Sequence, residues 1–398
     1  MFNYIIRRIF QMVIVLFFSS AASYALLSLA PGGPLSFLTS VQARLNKEDI
    51  ARIRAYFELD LFGPYRFTRW LIGQPRGPLT IAGQEYFADF VVGCRQPLEV
   101  QVQFSDGRTE TRTAGCREGQ DVTLMDLVDR PRSSRGVLFG DFGVSWQITR
   151  DRPVSDLVLS RLPRTLQLML LSTFLAILIG VPLGVVSAVR QYSAFDYTVT
   201  SLAFFGSSMP TFFFGLLMIL VFSITFKSWG WVYLPPGNAL AIKDYVIPLL
   251  GKVEAGSFLD AALHLIMPTS VLVLFNVAGW SRFVRTSMLE VLRQDYVRTA
   301  RAKGLLERVV IAKHALRNAL IPFITIVVFS IPGAFGGAII TETVFNWPGM
   351  GRLYFDALGR TDYPVAMSLL LITAFLTVLA TLLSDILYTV VDPRIRLS

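Results

Sequence analysis

The 398-residue chain has little of what an enzyme site is usually built from: two histidines, two cysteines and only 16% charged residues. A soluble domain carries about 25% charge. His264 and His314 have no histidine or cysteine at metal-ligating spacing, and no His-Glu-x-x-His occurs, so no metal site is expected. No Gly-x-x-x-x-Gly-Lys-Ser/Thr loop is present, so the chain is not expected to bind ATP in that way. Gly333-Ala-Phe-Gly336-Gly337 lacks the preceding strand of a dinucleotide loop. Gly333 and Gly337 read instead as a small-xxx-small pair for close helix packing, or as a pathway surface.

What the chain has is apolar residues, 53% of the total, gathered in runs near the length of a membrane-spanning helix. The runs are Ile9–Leu29, Leu166–Val189, Leu202–Phe226, His264–Trp280, Leu320–Thr341 and Ala366–Val391. The first is too long for a signal-peptide core and ends at Pro-Gly-Gly-Pro, so a retained anchor is expected. Pro268 is expected to break the start of the fourth run, and Pro322 and Pro332 to kink the fifth. Six spans put both termini on one side. With the termini inside, the short inner segments hold fourteen Lys/Arg and the short outer ones five, which places both termini in the cytoplasm. The formal charge of +9 is therefore mostly topology and not a sign of nucleic acid.

The predicted organisation is an N-terminal span (1–30), an extracytoplasmic segment (31–165) and a five-helix core (166–398) with a cytoplasmic loop at 281–319. Within the outer segment, 42–72 reads as helix, with Asn46 as its cap. Residues 73–138 read as a small β-rich insertion. Val100, Val102 and Phe104 alternate with polar residues, Asp106-Gly107 supplies a turn, and Thr109, Thr111 and Thr113 resume the alternation. Cys94 and Cys116 flank this hairpin; they are either a disulfide that staples a small domain or two unrelated thiols.

The cytoplasmic loop reads as a short helix, Asp295 to Lys303, with Asp295 as possible N-cap and Gly304 as its stop. Val297, Ala300 and Gly304 form one stripe, suited to a partner's groove, although a solvated basic loop fits the spacing equally. Few charges fall mid-span, so no ion relay is expected. Phe204, Phe205, Met209 and Phe212 are candidate path-lining residues. Glu342 is expected at the interface, pairing locally or serving an outer gate. Asp196, Glu290 and Asp295 are expected to be solvated or to take part in docking.

At this point the motifs become distinctive: YVRTARAKGLLERVVIAKHALRNALIP (296–322), TETVFNWPGMGRL (341–353), RLPRTLQL (161–168), SSMPTFFFGLL (207–217), GDFGVSW (140–146) and VDPRIR (391–396). Together they resemble the integral membrane permease subunits of ABC importers, of the dipeptide/oligopeptide/nickel class. The resemblance implies an all-α, six-span type I importer permease fold carrying a small β-rich extracytoplasmic insertion. It implies a cell inner-membrane, non-enzymatic transport subunit that imports peptides or, as alternatives, nickel chelates, glutathione or oligosaccharides. A membrane anchor presenting an extracytoplasmic binding module is the reading of another class.

The partners it implies are a second homologous permease, two ABC ATPases that use ATP and magnesium, and a solute-binding protein. This chain itself would bind no cofactor. Asp295, Tyr296, Arg298, Thr299, Ala300, Lys303 and Gly304 match the loop that couples to the ATPase. They depart from the broad permease motif, which begins Glu-Ala-Ala where Arg298, Thr299 and Ala300 stand here. Residues 73–138 match nothing familiar in the common members.

Overall fold

The computed structural model describes residues 2–29, 47–73, 77–81, 83–103, 109–128, 130 and 134–391. The expected Asn46 cap, the Asp106-Gly107 turn and the 392–396 end of the terminal motif lie outside them. The chain forms two compact units. One comprises Met1–Leu16, Leu159–Phe355 and Leu371–Ser398; the other comprises Phe17–Val158 and Asp356–Leu370.

Among the described residues, five helices are long and apolar enough to span a membrane. A sixth span results if one bent pair is counted as a single crossing. In lipid a backbone must satisfy its own hydrogen bonds, which is why apolar runs of this length become helices. The elements are α1 (Phe2–Leu29), α2 (Lys47–Tyr56), α3 (Gly63–Ile72), α4 (Val154–Val189), α5 (Ala194–Ser208), α6 (Thr211–Ser228), α7 (Phe258–Leu292), α8 (Asp295–Ala302), α9 (Glu307–Ala319), α10 (Ile321–Gly337), α11 (Ile339–Val344), α12 (Met350–Gly359) and α13 (Tyr363–Val391).

Several expected boundaries move. The third span is Thr211–Ser228 rather than Leu202–Phe226. Pro210 has no N–H and forces Met209 into extended backbone (φ −80°, ψ 133°), so α5 ends at Ser208 and a new helix starts. Pro268 does not break the fourth span; α7 runs through it as one 35-residue helix. Residues 281–292 of the expected 281–319 segment continue that helix, and α8 follows after a short connection. The fifth span is bent by 54° between Glu307–Ala319 and Ile321–Ser330, just ahead of Pro322, whereas Pro332 lies inside continuous helix.

A close helix approach is present at another glycine pair. Gly333 faces open space within this chain, and the surroundings of Gly337 lie outside the described part. Gly180 and Gly184 of α4 instead lie against Val277, Trp280, Ser281 and Val284 of α7; a Cβ on Gly184 would come within 2.6 Å of the Ser281 carbonyl oxygen. Around this crossing, Ala176, Ala188, Trp280, Val284, Met288, Ala315, Ala319 and Phe323 form a buried core.

Among the described residues of the second unit, six short strands make three antiparallel pairs: β1 (Leu79–Ile81) with β2 (Gln84–Tyr86), β3 (Val91–Cys94) with β6 (Asp121–Thr123), and β4 (Pro97–Gln103) with β5 (Thr109–Cys116). Cys94 and Cys116 are bonded to each other, with Cα atoms 5.7 Å apart. The β3–β6 core also reaches beyond the 73–138 insertion. Val92, Val122 and Leu127 are buried with Leu61, and Tyr65 of α3 packs on them. Asp60, nearly fully buried, pairs with Arg130. A further hairpin, β7 (Tyr245–Ile247) with β8 (Gly251–Val253), lies in the first unit.

Candidate functional site

The α8 segment is built as a charged face on an anchored apolar stripe. Gln294, not Asp295, is the N-cap; its extended backbone (φ −73°, ψ 148°) leads in, and Asp295 is the first helical residue. Gly304 stops the helix at φ +74°, a conformation that costs a Cβ-bearing residue about 1–2 kcal/mol.

Val297 and Ala300 are buried against Val310, Val291 and Leu292 of the same chain. The expected stripe is therefore already occupied. It fixes the helix and is not offered to a partner, and Gly304, expected on that stripe, is exposed. Asp295, Tyr296, Arg298, Thr299, Lys303 and Gly304 are left outward, while Ala300 is not. Arg298 is only loosely engaged, 3.7 Å from Asp295 with both side chains exposed. Arg301 is held more firmly, 2.7 Å from Glu307. This connects the end of α8 to the start of α9.

Two of the carboxylates buried in the first unit, Asp196 and Glu342, have partners that the sequence did not show. Asp196 is not solvated as expected. Its two oxygens take a fork from Arg285 at 2.6 and 2.8 Å, and it also accepts from the Ser187 hydroxyl and the Tyr192 N–H. The Arg285 hydrogen bonds hold its pKa well below the usual carboxylate range, against the opposing effect of burial. One carboxylate thereby ties α4, α5 and α7 together.

Glu342 is fully buried within the chain. It accepts from Thr165 Oγ1 at 2.9 Å and from the Arg352 N–H at 2.9 Å. A Cβ on Gly349 would run into its carboxylate, which gives the glycine of Trp-Pro-Gly-Met-Gly a physical reason. Glu342 thus ties α4, α11 and α12 together.

Of the path-lining candidates, Phe205 and Met209 share a small cavity of about 20 Å³ with Phe214, Val271, Leu274 and Phe275. Phe212 is half exposed and stands apart from it, as do Gly333 and Glu342. The structure does not gather these five residues into one site.

The long apolar helices describe a polytopic membrane protein whose α8 carries a charged face on an anchored apolar stripe. Residues 180–397 match the family described as binding-protein-dependent transport system inner membrane component. The chain is 46% identical over 257 residues to the oligopeptide transport system permease protein AppB of Bacillus subtilis, covering 65% of this chain and 76% of that protein. It is 41% identical over 272 residues to the dipeptide transport system permease protein DppB of Escherichia coli K12, covering 66% and 78%. In shape it is similar to a chain of the inward-facing methionine ABC transporter MetNI, at 17% identity and TM-score 0.45, covering 59% of this chain and 96% of that one.

The chain belongs to the binding-protein-dependent transport inner membrane component family. It is a multi-pass inner-membrane permease subunit of an ABC importer and not an enzyme. Importers of this family work as complexes with an ATPase and a binding protein, and ATP and magnesium act in the ATPase.

Proposed function

We propose that the chain forms half of the translocation path of an ATP-driven importer of di- or oligopeptides, with both termini cytoplasmic. The other half would be a second homologous permease. Two ATPases would engage the outward face of α8 (Asp295, Tyr296, Arg298, Thr299, Lys303), and an extracytoplasmic solute-binding protein would deliver the peptide. The observation that carries this reading is the 41–46% identity to named peptide permeases over alignments of 257 and 272 residues.

The α8 geometry gives the reading a mechanism. Because Val297 and Ala300 are already packed on their own chain, a push on the exposed face passes to α7 and α9 rather than being absorbed by refolding. Closure of the two ATPases on ATP would displace α8 and tilt the spans, opening the path to one side at a time. Nickel chelates, glutathione and oligosaccharides have no observation in their favour. Family membership speaks against a bare membrane anchor.

The test is uptake of a radiolabelled dipeptide by cells with and without the chain, with labelled nickel as control. Loss of peptide uptake alone, restored by the wild-type chain, is expected. Unchanged peptide uptake in the deletion strain overturns the reading.

A further inference from the structure

The second unit holds a cavity of about 580 Å³ that the transport mechanism does not use. Its volume falls in the range of small-molecule sites, about 300–1,000 Å³. Its lining includes Arg52, Tyr56, Phe57, Trp146, Arg150 and Asp151.

The walls are positioned rather than loose. One is α2, where Arg52 and Tyr56 are four residues apart and so share a helix face. The other is the 145–152 loop. That loop is closed by hydrogen bonds from the Ser145 N–H to the Arg152 carbonyl (2.9 Å) and from the Asp151 N–H to the Ser145 carbonyl (3.1 Å). Its base is fixed by the fully buried Asp362, whose carboxylate accepts from the Ser145 hydroxyl and from the backbone N–H groups of Trp146, Gln147 and Ile148. The Tyr56 hydroxyl donates to Asp151 Oδ1 at 2.5 Å, joining the two walls. Phe57 and Trp146 pack with ring centroids 5.1 Å apart. The lining thus combines an aromatic floor, two guanidinium groups suited to forked hydrogen bonds with a carboxylate, and one carboxylate suited to an ammonium group.

We propose that this cavity is a second solute site, taking a short peptide whose free carboxylate sits on Arg52 and Arg150 and whose apolar side chains rest on Tyr56, Phe57 and Trp146. It rests on the peptide-importer reading and deepens it. The carboxylate of Asp151, oriented by Tyr56, receives the peptide's ammonium end. The site gives the chain its own hold on solute, separate from that of the solute-binding protein.

The experiment is calorimetry on the full chain in nanodiscs with three probes: Ala-Phe-Ala, its C-terminal amide, and N-acetyl-Ala-Phe-Ala with a free carboxylate. The expected order is free peptide tightest, the acetylated acid intermediate, and the amide at least tenfold weaker than the free peptide. Arg52→Ala/Arg150→Ala, both at exposed positions, is expected to weaken the free peptide at least tenfold and to leave the amide unchanged. Equal binding of acid and amide overturns the proposal. So does an unchanged affinity in the double variant, or an effect of that variant on solute-binding-protein affinity alone.

Uptake of the same peptide by the assembled transporter is measured in parallel. Uptake without binding at the cavity sinks this site and leaves the importer reading standing. Binding without uptake under any condition does the reverse.

Discussion

The α8 helix and the β4–β5 hairpin are both polar excursions between helices, yet they are held by opposite means. The helix is fixed by packing: two of its eight residues, Val297 and Ala300, are buried against Val310. The hairpin leaves Leu98 and Val100 exposed and is tied at its base by the Cys94–Cys116 bond. A packed anchor transmits displacement, because close-packed side chains are stiff. A covalent staple limits unfolding without stiffening what lies beyond it. The helix is suited to relay motion and the hairpin to persist in an oxidising compartment.

That contrast can be broken at either end. The largest effect is expected from Val297→Asp, which puts an unpaired charge in the anchor. Uptake should be abolished while the membrane level on immunoblot stays near wild type; residual uptake above a tenth of normal would contradict the relay role. Gly304→Val comes next. A Cβ there meets no atom, so the cost is only the left-handed backbone, about 1–2 kcal/mol. Uptake should fall roughly tenfold, with Gly304→Asn recovering most of it because asparagine tolerates that conformation.

The double variant Cys94→Ser/Cys116→Ser should cost the insertion about 3 kcal/mol by chain entropy. The readout is faster proteolysis within 73–138, with uptake changed less than about twofold if transport does not depend on the staple.

The smallest effect concerns Asp126, which is bonded to the Thr123 N–H and hydroxyl and to Arg95. Burial raises its pKa, but the Thr123 hydrogen bonds and the Arg95 charge outweigh burial and leave it below its ordinary 3.8. A depressed pKa means the contribution is complete above that value and is lost as pH falls through the folded-state pKa. Asp126→Asn should therefore cost the insertion about 1 kcal/mol at pH 7 and nothing in strong acid. Thermal melts at the two pH values check this, and uptake should not move.

The helical spans were readable because apolar runs of that length have few other uses, and α8 was readable from its glycine stop and its motif. What could not be read were features that depend on distant partners. Asp196 looks like any loop-side acid until Arg285, 89 residues away, reaches it. Glu342 sits beside an apolar run and looks interfacial until Thr165 and the Arg352 N–H enclose it. The stripe on α8 was visible as a stripe, but periodicity cannot say whether a face meets its own chain or another. Gly180 and Gly184 carried a usable signal, since they are spaced as a Gly-xxx-Gly pair within an apolar run. The 145–152 loop gave little warning, because its anchor, Asp362, lies over 200 residues downstream.

The 54° bend between α9 and α10 has a mechanical consequence. A straight rod pushed at its end only slides, whereas a bent one behaves as a crank. The α9 arm has 13 residues, with a π-helical stretch at Val310–Leu316, and is on the order of 18 Å long. A 10° turn about the elbow at Leu320 would sweep its Glu307 tip through about 3 Å. Run in the other direction, a displacement of a few ångströms at the tip, where Arg301 grips Glu307, becomes rotation of the arm that continues into the membrane.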